Sequence, residues 1–185
     1  MVLPTLLTRG NVKEEPDRVP IQCLIDKIEK LKNVGEHFLL LKSGTGSGKS
    51  TILPPNLLKK FRAKIGVTEP RIMVAKNVAF EISTYNDLNV GEELGYLTGY
   101  EKVPPTRRNS ITFMTIQILN LKMMNDSANY DFIIVDEVHL RDISTDIALF
   151  LLKNKFKNAT KKPFVILMSA TMEFDFFKTY FNLSD

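Results

Sequence analysis

Cysteine is nearly absent. Cys23 stands alone among 185 residues, so no disulfide can form within the chain. That suits a reducing, intracellular setting, cytoplasmic or nuclear. Cys23 itself reads as a small buried apolar residue. Long hydrophobic runs are also missing, and no stretch approaches the roughly 20 residues that a membrane span needs. The start, Met1-Val2-Leu3-Pro4, lacks the charged head and apolar core of a secretory signal. There is no internal repeat and no low-complexity tract. Neither sign of charge dominates: the net charge is +4 and the pI about 9.1. That balance permits a polyanionic partner without demanding one.

What remains is an ordinary composition, 44% hydrophobic and 25% charged, in a chain long enough for one domain with a sizeable core. One stretch organises it. His37 to Leu41 is a short apolar run expected to be a strand, and Ser43-Gly44-Thr45-Gly46-Ser47-Gly48-Lys49-Ser50-Thr51 follows it. Strand, glycine-rich turn and helix start together form a cradle for phosphate oxygens. Gly46 and Gly48 let the backbone approach an anion without a Cβ clash. Lys49 is placed to reach β- and γ-phosphates, and the Ser50 hydroxyl to hold Mg²⁺. Ser43 stands where the usual pattern has a glycine, but Gly44, Gly46 and Gly48 follow.

Around that loop the chain alternates. Residues 1–19 are expected to be an arm or loose lead-in. From Pro20 to Lys32 the spacing of Ile21, Leu24, Ile25, Ile28 and Leu31 predicts an amphipathic helix capped by Gly35. Past the loop a helix is expected, bent or stopped at Pro54-Pro55. Strands are expected at 65–69, 111–114, 132–135 and 164–168, with helices at 72–83, from 116, and after 139. In the last of these, Ile143, Ile147, Phe150 and Leu151 form one stripe. Residues 87–99, with Gly91, Gly95 and Gly99, read as turns. Strands alternating with helices point to an α/β domain on a mostly parallel sheet with helices on both faces.

Ligands of such sheets bind beyond the carboxyl ends of the strands. The loop at 43–51, Asp136-Glu137 after an uninterrupted apolar strand, and Ser169-Ala170-Thr171 should therefore converge there. Asp136 is placed to complete the Mg²⁺ shell with Ser50, and Glu137 to orient and deprotonate an attacking water. In isolation His139 reads as a core histidine, and Ser169 and Thr171 as helix caps.

With the phosphate loop and Ser169-Ala170-Thr171, the box Asp136-Glu137-Val138-His139 resembles the DExH helicases of superfamily 2. The similarity is greatest to the DEAH/RHA group. Thr68-Glu69-Pro70-Arg71 resembles the motif that grips the nucleic-acid backbone, and Met114-Thr115 a further motif on that track. The resemblance runs over about residues 36–182. It implies a RecA-like P-loop NTPase domain at 36–185 after a lead-in and helix at 1–35. It also implies ATP or another NTP with Mg²⁺ as cofactors, and Lys49, Asp136, Glu137 and His139 as catalytic residues. Pro70, Arg71, Thr98, Gly99 and Thr115 would contact nucleic acid, single-stranded RNA ahead of DNA, and Ser169 and Thr171 would couple it to the nucleotide.

The resemblance further implies a second RecA-like domain, carrying the arginine fingers, as partner. Three positions depart from the pattern. Leu140 replaces an acidic residue, and Ile72 replaces a second arginine. No arginine stands near Phe80-Glu81, where the family stacks one on the base, so Phe80 is the substitute if it is exposed. Val138 is similar to the viral members of the wider group. Two other functions fit the same residues: a DNA translocase, and a nucleotide-switch adaptor that moves nothing.

Overall fold

The computed structural model describes residues 2–3, 6–7, 19–42, 48–158, 161–171 and 174–181. Three two-residue strands lie near the start: β1 (Val2–Leu3), β2 (Leu6–Leu7) and β3 (Val19–Pro20). Helix α1 (Ile21–Asn33) leads into β4 (Phe38–Lys42), and α2 (Lys49–Phe61) into β5 (Lys64–Glu69). Then come α3 (Ile72–Tyr85), β6 (Leu94–Leu97), β7 (Lys102–Val103), β8 (Ser110–Thr115) and α4 (Ile116–Met124). The chain continues with β9 (Phe132–Val135), α5 (Ile143–Asn158), β10 (Phe164–Ser169) and α6 (Phe174–Phe181).

One eight-stranded sheet has the order β2-β4-β10-β9-β5-β8-β6-β7. The inner pairs from β4 to β6 are all parallel, and β2 and β7 add antiparallel edges. Part of the expected loose lead-in is therefore tied down, with Leu6 opposite Leu41. Alternate strand residues feed opposite faces, as strand geometry requires. Leu39, Leu41, Phe132 and Ile134 pack with α1, α2 and α3, whereas Leu40, Ile133, Val135 and Leu167 pack with α4 and α5.

The end of α1 follows from its sequence. Gly35 takes φ +80°, its N–H bonds Lys32 O and that of Glu36 bonds Leu31 O. That is the paired closure which glycine makes cheap. Four expectations need correction. Helix α2 runs through Pro54 and Pro55 without stopping. Both prolines are buried beside Leu53, Leu57 and Leu58, so tertiary packing outweighs the lost backbone donors.

The turn-rich segment conceals β6, where Gly95 is a strand residue paired beside Thr112. A Cβ there would stand 2.4 Å from Pro105 Cδ and 2.6 Å from Val103 O. Glycine is required by close approach, not by a turn. On α5, Ile143 is 81% and Phe150 55% exposed, while Thr145, Ala148, Leu149 and Leu152 face inward. Finally, Cys23 is exposed, not buried. Among the described residues no helix is long and apolar enough to cross a membrane.

Candidate functional site

Parallel register sets out a row of strand ends. Leu97 lies opposite Met114, Thr115 opposite Glu69, Thr68 opposite Val135, and Leu167 opposite Val135 on the other side. Thr98, Thr115, Glu69, Asp136 and Ser169 therefore succeed one another along the carboxyl edge. Strand β10 separates β4 from β9, so the phosphate-loop strand and the acidic strand flank Ser169.

Residues 44–47, that is Gly44, Thr45, Gly46 and Ser47, lie outside the described residues. From Gly48 onward the loop's exit is defined. Gly48 takes φ +75°, and its carbonyl accepts from the Ile52 N–H at 2.9 Å and the Thr51 hydroxyl at 3.1 Å. That left-handed turn puts Lys49 and Ser50 at the first helical positions. The buried Lys49 Nζ lies 3.0 Å from Glu137 Oε1 and 3.6 Å from Asp136 Oδ1. Ser50 Oγ donates to Asp136 Oδ2 at 2.6 Å. Asp136 Oδ1 also accepts the Glu137 backbone N–H at 2.7 Å.

Glu137 itself sits at φ +53°, an uncommon region for a residue with a Cβ. That turn starts a 3₁₀ helix at Val138–Leu140. His139 Nδ1 is 3.2 Å from Glu137 Oε2 but is not aligned for a hydrogen bond.

A third carboxyl belongs to this cluster. Glu69, 3% exposed, ends β5 beside Asp136, and its Oε1 has no hydrogen-bond partner. Burial, followed by the Asp136 charge, pushes its pKa up to about 8, against the pull of Ser50 and Lys49. Burial also raises Asp136, offset mainly by Lys49 and then Ser50. Asp136 and Glu137 face one buried lysine, and beside them Glu69 keeps its proton for want of a counter-charge, an acid-rich cluster that fits a divalent cation. Among the described residues no three acid, histidine or cysteine side chains form a cation cage. Mg²⁺ held by one or two protein oxygens plus substrate phosphates needs none.

The residues expected to touch nucleic acid occupy the β5, β8 and β6 ends of the row. Pro70 and Arg71 are exposed, and Arg71 precedes α3 in extended backbone, φ −123° and ψ 137°. Thr115 is buried before α4. Thr98 is buried too. Its hydroxyl donates to Glu101 O at 2.9 Å and accepts the N–H groups of Tyr100 and Glu101. Thr98 thus shapes the turn that presents Gly99, which has nothing within 4 Å of an added Cβ. Ser169 is fully buried, and its Oγ accepts the N–H of the exposed Thr171 at 3.2 Å. Phe80 is 46% exposed, its ring 6.0 Å from that of Tyr96.

The family described as type III restriction enzyme, res subunit, matches residues 16–174. The chain belongs to that family. Among curated relatives it is 32% identical to the ATP-dependent RNA helicase DHX33 of Drosophila melanogaster, over 98% of this chain and 27% of that protein. It is 35% identical to the ATP-dependent RNA helicase HrpA of Borreliella burgdorferi, over 89% of this chain and 20% of that one. The putative RNA helicase B962L of African swine fever virus is 30% identical over 97% of this chain and 23% of its own length. Among solved structures, the DEAH/RHA helicase HrpB of Escherichia coli superposes with a TM-score of 0.73 at 27% identity. That match covers 87% of this chain and 21% of HrpB. The RecA-like fold class is thereby shared. The chain spans only about a fifth to a quarter of the length of these relatives.

Sequence reasoning missed Glu69 at this site, placing it only within a grip motif. The signal was its position at the end of a strand; which strand lay next to it was not legible.

Proposed function

We propose that this chain is the NTP-hydrolysing motor unit of an ATP-dependent RNA helicase, moving along single-stranded RNA. The observation that carries this reading is the pairing of Lys49 with Glu137 and of Ser50 with Asp136, which joins the first turn of α2 to the end of β9. Lys49, at the amino end of α2, binds phosphate oxygens where the helix dipole and loop amides already favour an anion. Nucleotide phosphates draw Lys49 away from Glu137, freeing that carboxylate to orient the attacking water and accept its proton. Ser50 and Asp136 would hold Mg²⁺, which would supply charge neutralisation at the phosphate oxygens.

On the same edge, Pro70, Arg71 and the Gly99 turn meet the RNA backbone, with Thr98, whose hydroxyl ties that turn together, and Thr115 completing the track. His139, Ser169 and Thr171 lie on the nucleotide side of the row, with Ser169 between the phosphate-loop strand and the acidic strand, and transmit the state of that site to the RNA track. Phe80 offers a face for a base. In this reading a second RecA-like domain supplies the arginine fingers and the other wall of the cleft, and the protein works inside the cell.

The test is titration with a fluorescent ATP analogue alongside phosphate release. Lys49→Ala should abolish binding, and Glu137→Gln should retain binding while slowing hydrolysis by about 10²–10⁴-fold. Unchanged nucleotide affinity in Lys49→Ala would overturn the assignment.

A further inference from the structure

On the opposite, amino edge of the sheet the surface opens into a cavity of about 400 Å³. Leu58 is part of its wall, and Lys59, Arg62, Arg107 and Arg108 bring positive charge from two segments, the end of α2 and the approach to β8. One acid, Glu93, also lines it. Arg107 answers that acid, with Nε 3.5 Å from Glu93 and Nη2 3.0 Å from Glu92. The side chains of Lys59, Arg62 and Arg108 make no ion pair among the described residues.

Helix chemistry explains part of this. Lys59 and Lys60 occupy the last turn of α2, where cations offset the negative end of the dipole. It does not explain Arg62, which lies past the helix at φ +47° and ψ 52°. Glycine or asparagine usually takes that left-handed place. Nor does it explain Arg107 and Arg108, which come from another segment.

We infer that this cavity is a second RNA-backbone site, taking phosphates of a segment that flanks the one on the carboxyl edge. The choice of RNA as the polyanion rests on the function proposed above. Arginine forks match phosphate oxygens two at a time, and Asn109 adds a polar group beside them. No aromatic side chain lines the cavity, so it stacks no base and reads no sequence. Strands β5 and β8 have six residues each, which sets the two edges about 20 Å apart. A short strand lying along the carboxyl edge leaves the cavity empty, whereas a longer RNA with a duplex flank reaches it.

Anisotropy titrations of the protein over a salt series separate the two sites. One probe is a single strand just long enough for the carboxyl edge; the other carries a duplex flank. Arg62→Glu with Arg108→Glu should weaken the flanked RNA about 30–100-fold near 0.1 M salt and flatten its log–log salt slope by about 1.5–2. Short-strand affinity and ATP hydrolysis should stay unchanged. Arg62→Gln with Arg108→Gln, a milder pair with about half the effect on the logarithm of affinity, guards against misfolding of the first. Lys27→Glu with Lys30→Glu on α1 controls for bulk charge.

Unaltered affinity and slope on the flanked RNA, or a loss no larger than the control's, overturns the cavity while leaving the motor reading intact. Equal losses on both RNAs overturn it as a separate site. Displacement of the flanked RNA by polyglutamate as readily as by RNA overturns it in favour of an acidic protein partner. If the unmodified protein binds the flanked RNA through these arginines but ignores the short strand, the cavity stands and the motor reading falls.

Discussion

Glu69 ends its strand one residue beyond the pairing of Thr68 with Val135, and so stands beside Asp136. Its pKa is pushed up to about 8, by burial first and the Asp136 charge second. The unfolded chain releases that proton near 4.5, so between those values the folded protein holds a proton that the unfolded one does not. Stability therefore falls as pH rises from about 4.5 towards 8 and levels off above. Glu69→Gln keeps the shape without the titration. It should flatten the fall in melting temperature of the nucleotide-free protein, leaving a residual slope of the same sign from Asp136. An identical pH profile in wild type and variant would show that Glu69 does not carry the effect.

Lys49 is the buried cation within 4 Å of both Asp136 and Glu137. Removing it leaves carboxylates short of a counter-charge, a loss that costs on the order of 1–3 kcal/mol. Lys49→Ala should thus lose stability as well as nucleotide affinity, with a smaller stability loss in acid, where carboxyl groups protonate. Denaturant unfolding at two pH values measures this. A stability loss that is larger in acid would contradict the account.

Two glycines that look alike in sequence should respond in opposite ways. Gly95→Ala drives a methyl group into Pro105 and the Val103 carbonyl, backbone that cannot yield cheaply, and should cost about 1–3 kcal/mol. Gly99→Ala meets nothing within 4 Å and should leave stability unchanged while weakening RNA binding. Thermal melts of both variants decide it, and a stable Gly95→Ala would mean that Val103 and Pro105 lie farther from β6 than the 2.4–2.7 Å that an added Cβ would meet.

How much of this was legible follows from the same residues. Apolar runs ending in chemistry, such as Phe132–Val135 before Asp136 and Phe164–Met168 before Ser169, announced both strands and the edge they share. Strand order was not legible. Nothing in the sequence says that β10 inserts between β4 and β9, or that β5 lies beside β9, and Glu69 owes its place to that order. On α5 the residues Thr145, Ala148, Leu149 and Leu152 have the same helical spacing as Ile143, Ile147 and Phe150. Periodicity cannot choose between two apolar stripes; only the neighbouring β-sheet and α4 do. Strand β6 was hidden because Gly95, required by a close contact, carries the signature of a turn.

That choice of stripe is itself testable. Leu149→Ala removes a buried side chain and should cost about 2–5 kcal/mol. Ile143→Ser and Phe150→Ser alter exposed positions and should stay within about 0.5 kcal/mol. Equal losses at Leu149 and Phe150 by denaturant unfolding would place α5 the other way round.

The placement of arginine bears on how fast this chain can turn over alone. Arg62, Arg107 and Arg108 line the cavity on the amino edge, a strand's length from Lys49. Arg141 holds Asp146 through Nε at 2.7 Å and lies 4.3 Å above the Phe176 ring. Arg71 follows β5, two residues past Glu69, and is exposed. The ion pairs of Asp136 and Glu137 are made by Lys49 and His139. An arginine finger is worth about 10³–10⁵ in rate for this class of reaction. The 185-residue chain should accordingly bind ATP weakly, hydrolyse it slowly, gain little from added RNA and separate no duplex. Phosphate-release assays with and without RNA measure each of these. Brisk RNA-stimulated turnover that disappears in Glu137→Gln would mean that the chain completes its own site, with Arg71 the first residue to examine.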